Sequence, residues 1–223
     1  LVKTRLILLL EKRILNYRSS LYSQESIIPF FGKYTKLDYL LITTLYFNDY
    51  FRNLKDKKKQ KDIILATLSN GQGLYWANLY YHKGFSHREM RKTIYVETEN
   101  LIKKKNLDNK DVFFVNLGSC SGLDLLYFKN KFQNINYISS DISEETINFQ
   151  KNNTFKNIKN ISYMKGSVEN IISQVNQNYK NNPKLKFIFF CNAALQYCIP
   201  DTMKEVFAEI KNFQNKLYLI SSE

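Results

Sequence analysis

The chain has 223 residues, 44% hydrophobic and 15% aromatic. That is enough for one α/β domain with an appended subdomain or for two small domains, and the composition fits neither a disordered chain nor a repeat array. The formal net charge of +13 raises the question of a polyanionic partner. Arg is the residue suited to bidentate phosphate and base contacts, yet only six of the 33 basic residues are Arg and none lies beyond Arg91. The rest are Lys scattered among Asn and Ile, which reads as a solvated surface and disfavours nucleic acid as a partner. Three cysteines, Cys120, Cys191 and Cys198, are too few for a disulfide framework. With only His82 and His87 beside them and no Cys-x-x-Cys, no metal site is expected. A reducing, cytoplasmic setting is therefore expected.

The sequence opens on Leu1 rather than Met, as a piece of a longer chain would. In LVKTRLILLLEKRIL the apolar run Leu6 to Leu10 is too short to span a membrane, so a basic amphipathic helix packed on the domain is expected. Residues 1 to about 110 read as helical, with apolar residues at helical spacing in 37–51, 62–68 and 93–105. The aromatic segment GQGLYWANLYYHKGF, residues 71–85, interrupts this half with three glycines. LDNKD, residues 107–111, is the candidate boundary between a helical cap (1–110) and a second domain (111–223).

From Val112 onward short apolar runs alternate with amphipathic ones. Strands are expected over 112–117, 136–140, 161–164, 187–191 and 217–221. Helices are expected over 122–132, 143–152, 168–178 and 200–213, with Ser143 and Pro200-Asp201 as starts. Continuous apolar strands, each followed by about three turns of helix, imply a parallel sheet covered on both faces. The fold class expected is α/β, a Rossmann-like doubly wound sheet whose ligand sits at the carboxyl ends of the strands.

The turn Gly118-Ser119-Cys120-Ser121-Gly122 falls at that edge, and three chemistries compete for it. A nucleophile elbow with cysteine in place of serine needs a histidine later in the chain; both histidines precede Cys120. A dinucleotide fingerprint needs glycine at 118, 120 and 123, where the chain has Gly118, Cys120 and Leu123. A cofactor cradle fits better. Gly118 ends the strand where a sharp turn benefits from freedom in φ, and Gly122 opens the helix. Small residues between them admit a ligand to the backbone, and the helix start can hold an anionic group. Asp141 ends the second strand, where a carboxylate can accept two bonds from a ribose diol, each contributing about 1.5–3 kcal/mol. A plain strand-turn-helix unit with a capping Asp is the competing structural reading.

Taken together, NLGSCSG, YISSDISEETINFQKN, ISYMKGSVENI, FIFFCNAALQYC and KLYLISSE resemble, in order and spacing, the first to fifth strand motifs of the class I S-adenosylmethionine-dependent methyltransferases. Asn192 to Tyr197 is similar to the small-molecule branch of that family, trans-aconitate methyltransferase among them. The resemblance covers 111–223 and implies a sheet of order 3-2-1-4-5, whose last family strands are expected to be missing here. It implies S-adenosylmethionine as cofactor. Gly118, Ser119, Cys120 and Gly122 would lie beneath its methionine part and Asp141 on the ribose. Ile142 and Val168 would flank the adenine, Ser167 would meet its edge, and Asn192 and Ala193 would stand near the sulfonium. The chain departs from the family at Asn116 (usually an acid), Cys120 (usually glycine) and Ser167 (often Asp), which leaves open a fold kept for binding without turnover. Base-amine and cytosine-carbon methyltransferase signatures are absent after the fourth strand, so the resemblance implies a small-molecule acceptor rather than a nucleobase. Tyr75, Trp76, Tyr80 and His82 are the candidates for the acceptor side, against the reading that such aromatics pack a subdomain core. No catalytic base is assigned.

Overall fold

The structure, a computed structural model, describes residues 85–222 except 193, 196, 197 and 199. Most of the expected helical cap, 1–84, therefore lies outside the described residues. The described chain begins with α1 (Phe85–Lys104), followed by β1 (Val112–Leu117), α2 (Leu123–Lys131), β2 (Asn136–Asp141) and α3 (Glu144–Phe149). A π-helical turn, Gln150–Thr154, prolongs α3. Then come β3 (Ile161–Lys165), α4 (Val168–Tyr179), β4 (Lys186–Asn192), α5 (Pro200–Lys211) and β5 (Lys216–Ser222). The five strands form one sheet of order β3-β2-β1-β4-β5, every pairing parallel. This is the doubly wound α/β arrangement expected from the alternation of apolar strands and helices.

All strand ends lie within one residue of the expected ones. Two helices differ by more than two residues. α1 begins at Phe85, eight residues ahead of its expected start at Thr93. Gly84 is the last breaker before it, and residues 89–92 are Glu, Met, Arg and Lys, good helix formers that carry little apolar periodicity. α3 stops being α-helical at Phe149, where a wider turn takes over.

Side chains alternate across each strand, and both faces are apolar. Phe114 of β1 and Ile188 and Phe190 of β4 point to the layer that holds α1 and α2, joining Ile94, Ile102, Leu125 and Phe128 in one buried cluster. Val115, Leu117, Phe187, Phe189 and Cys191 point the other way, to Ile171, Ile172 and Val175 of α4 and Val206 of α5. The chain thus covers one face while it moves outward from β1 to β3, then crosses back to β4 and covers the other. That reversal between β1 and β4 opens a crevice at the carboxyl edge. α1 is fixed to this frame. Tyr95 stacks on Tyr127 of α2 with ring centroids 4.3 Å apart, and Glu99 accepts bonds from Tyr127 and Lys131, both at 2.5 Å.

Phe114 sits at the centre of the first cluster, with ring centroids 4.9 Å from Phe128, 5.6 Å from Tyr137 and 5.5 Å from Phe190. Phe114→Ala should destabilise the protein by about 3–5 kcal/mol in urea denaturation. A loss below about 1 kcal/mol would contradict a ring cluster packed to core density.

Candidate functional site

The turn after β1 is shaped by alternate left-handed residues: Gly118 at φ +62°, Cys120 at φ +48° and Gly122 at φ +79°. The two glycines are required twice over. A Cβ at Gly118 would stand 2.7 Å from Cβ of Ala194, and one at Gly122 would stand 2.7 Å from the ring of Phe155. Cys120 tolerates the left-handed region at a cost of about 1–2 kcal/mol, so bonds elsewhere must hold it there.

Those bonds come from two sides. The Ser119 N–H donates to the Ser140 carbonyl on β2 at 2.8 Å, and the Cys120 N–H donates to Asp141 Oδ2 at 3.0 Å. From the far side the π-turn reaches in. Gln150, fully buried, donates through Nε2 to the Cys120 carbonyl at 2.6 Å and to Ser119 Oγ at 2.8 Å. It accepts at Oε1 from Ser139 Oγ at 2.6 Å. Thr154 at the end of the same turn donates to the Ser121 carbonyl at 2.6 Å. The wide turn brings both polar residues to the loop, an arrangement in keeping with the tendency of π-turns to occur at functional sites.

Asp141 is the hub. Its Oδ2 takes the Cys120 N–H and its Oδ1 takes the Ser143 N–H at 3.0 Å, while its carbonyl receives the Gly166 N–H from the end of β3 at 3.1 Å. One residue therefore joins the exits of β1, β2 and β3. Burial pushes its carboxyl up to about 6, against the pull of the backbone N–H groups of Ser143, Cys120 and Ile142. Each carboxylate oxygen has a second lone-pair site, so the group retains acceptor capacity beyond these bonds. The raised value has a sign. The folded state binds the proton more tightly than the unfolded state, so Asp141 favours folding most below about pH 4 and loses that contribution as pH rises through 6. Relative to Asp141→Asn, the native chain should gain up to about 3 kcal/mol between pH 7 and pH 4; a pH-independent difference in denaturation midpoints would refute this environment.

The structure brings Asn116, Gly118, Ser119, Cys120, Gly122, Asp141 and Ile142 to one stretch of the sheet edge. Asn116 is buried on β1, opposite Ser139 and Phe190, and its Nδ2 has no hydrogen-bond partner. Ser167 and Val168 begin α4 just beyond β3. Ser167 Oγ donates to Glu169 Oε1 at 2.5 Å and accepts from Asn170 Nδ2 at 2.8 Å. Asn192 ends β4, and Ser222 Oγ donates to its Oδ1 at 2.7 Å. Ala193, Tyr75, Trp76, Tyr80 and His82 lie outside the described residues.

Burial raises the Cys120 thiol well above its ordinary range, with Asp141, Asp124 and Cys191 adding to the effect. A thiol held neutral in this way is a poor nucleophile, which argues against the elbow reading on grounds separate from the histidine order. The sequence reading missed Gln150, Thr154 and Asp124. Asp124, in the first turn of α2, accepts from Tyr95 Oη at Oδ1 and from Asn192 Nδ2 at Oδ2, 3.2 Å away. Its only signal was an acid two positions after the last loop glycine.

No protein-family model and no curated protein matches the chain. Solved structures do. Magnesium protoporphyrin IX methyltransferase (ChlM) from Synechocystis PCC 6803 with bound SAH superposes with a TM-score of 0.50 at 14% identity, over 71% of this chain and 70% of that one. The same enzyme with bound SAM gives a TM-score of 0.48 at 15% identity, over 74% and 76%. A SAM-dependent methyltransferase from Anabaena variabilis ATCC 29413 gives 0.45 at 12% identity, over 68% of this chain and 60% of its own length. Strand order, parallel pairing and the superposition on ChlM with SAH agree: the chain has the fold of the class I S-adenosylmethionine-dependent methyltransferases.

Proposed function

We propose that the chain binds S-adenosylmethionine at the carboxyl edge of its sheet and transfers the methyl group to a small-molecule acceptor. The observation that carries this reading is the loop from Gly118 to Gly122. Its left-handed turn is pinned to Asp141, and both glycines stand where a side chain would collide. Such a loop keeps backbone open at a helix start, suited to a ligand with an anionic end. The orphaned Nδ2 of Asn116 beneath it supplies a donor without a protein partner.

In this reading Gly118 to Gly122 bind the methionine part and Asp141 accepts the ribose hydroxyls through its remaining lone pairs. Ile142 and Val168 flank the adenine, and Ser167 meets its edge through the acceptor site left after its bonds to Glu169 and Asn170. Asn192, with Ala193 beside it in sequence, lines the methyl end. The chemistry supplied with the cofactor is a methyl already activated on sulfonium, open to in-line displacement. The protein's own contribution is alignment, worth up to about 7–11 kcal/mol in well-oriented cases, which requires no catalytic base. The segment before α1, with Tyr75, Trp76, Tyr80 and His82, is proposed as the acceptor-side cap. A small molecule is favoured over a nucleobase because Asn192-Ala193-Ala194-Leu195 lacks the Pro-Pro-aromatic and Pro-Cys signatures of base-modifying enzymes.

Titration calorimetry with S-adenosylmethionine and S-adenosylhomocysteine tests the cofactor. Both should bind, and absence of binding by either would overturn the proposal. Asp141→Ala should weaken binding at least tenfold. In the native chain affinity should decline below pH 6, where Asp141 takes up a proton, by up to about tenfold per pH unit. Cys120→Gly should leave affinity unchanged or improved, because the position already has a backbone that glycine adopts without strain. A tenfold loss there would mean that the thiol itself contacts the ligand.

A further inference from the structure

The family's first strand usually offers an acid beneath the loop, and here that position is Asn116, a neutral side chain. A cationic group brought into a partly desolvated crevice needs an opposing charge nearby. Among the described acids at this edge, Asp141 lies on the β2 side, where the cofactor reading assigns it to the ribose. Glu169 lies beyond β3, bonded to Ser167. On the β1/β4 side Asp201 is exposed and paired with Lys204, and Asp124 is the half-buried acid, where the loop meets the end of β4.

Its carboxylate is held from two elements. Tyr95 of α1 donates to Oδ1, and Asn192 at the end of β4 donates to Oδ2 at 3.2 Å. Asn192 is in turn held through Oδ1 by Ser222 of β5. The ring of Tyr95 is itself fixed on Tyr127 and edge-on to Phe128. A chain of four polar side chains thus runs from α1 across the sheet edge to β5 and orients one carboxylate. That carboxylate is half-buried and lies two residues past Gly122, the last residue of the loop.

We infer that Asp124 binds the α-ammonium group at the methionine end of the cofactor, replacing the charge that the first strand lacks at Asn116. Tyr95 and Asn192 act as positioning residues for it. The inference rests on the cofactor reading above and adds a specificity: Asp124 recognises the amino-acid end and contributes nothing to the adenosine end.

Three probes separate these statements in the full chain: S-adenosylmethionine, S-adenosylhomocysteine, and 5′-methylthioadenosine, which has the nucleoside and sulfur but no ammonium. Asp124→Asn keeps the size of the side chain and should weaken the first two by about tenfold or more, the scale of one charge-assisted bond. It should leave 5′-methylthioadenosine within about twofold. Tyr95→Phe should show the same selectivity with a smaller effect. Equal losses for all three probes would assign Asp124 a structural role and overturn the inference. A loss confined to S-adenosylmethionine would place the charge at the sulfonium and overturn the ammonium assignment. Failure of the native chain to bind any probe would instead sink the cofactor reading itself.

Discussion

Much of the sheet edge depends on one carboxylate that the protein buries. Asp141 accepts the N–H of Cys120 on one oxygen and that of Ser143 on the other. It is too deep for water to replace those bonds cheaply. The first bond holds a non-glycine residue in a left-handed conformation, and the second fixes the entry to α3, where Ser143 caps the helix by accepting from the Thr146 N–H. Remove the carboxylate and Cys120 loses the partner of its N–H, leaving the Ser119 N–H to the Ser140 carbonyl as the backbone tie to β2, while Ser143 loses the partner of its own N–H. The cost of burying the charge appears in its upward-shifted titration, a mark of sites tuned for something other than stability alone.

Charge around this edge is divided rather than pooled. Asp141 stands at the exit of β2, Glu169 beyond β3 and Asp124 between β1 and β4. The Lys-rich character of the sequence shows elsewhere: Lys103, Lys129, Lys131 and Lys165 sit on helix surfaces and strand ends, pairing with Glu99 or Glu144 or lying over tyrosine rings. Such exposed pairs contribute little to stability. The basic balance therefore describes the solvated surface, where Glu99 and Glu144 answer part of it, while Asp141, Glu169 and Asp124 stand at the sheet edge.

The fold was legible because its determinants are local and repetitive. Phe114, Val115, Phe187 and Ile188 fill consecutive strand positions whose side chains enter opposite layers, and that doubly buried pattern survives in the sequence as an unbroken apolar run. Gly118, Gly122 and Asp141 were legible for a different reason: only a few residue types satisfy a left-handed turn or end a strand with a carboxylate. Gln150 was not. In a sequence it is a polar residue late in an amphipathic helix, and solvent is its ordinary destination. Its burial follows from a change of helix geometry at Phe149 that propensity does not encode. Asp124 was missed for a similar reason, since acids in the first turn of a helix are common for their favourable interaction with its dipole. Only the placement of Tyr95 and Asn192 sets it apart.

Position 120 has a wider consequence. Its N–H is committed to Asp141 and its carbonyl to Gln150, so the backbone of that residue is specified from both sides while its side chain is not. Selection on such a loop acts on a torsion angle, and any small residue that endures φ near +48° can occupy the place usually held by glycine. Divergence can therefore erase the glycine signature by which this loop is recognised while the loop itself stays unchanged. A chain of this kind drifts out of reach of comparison by letters long before it drifts out of reach of comparison by shape.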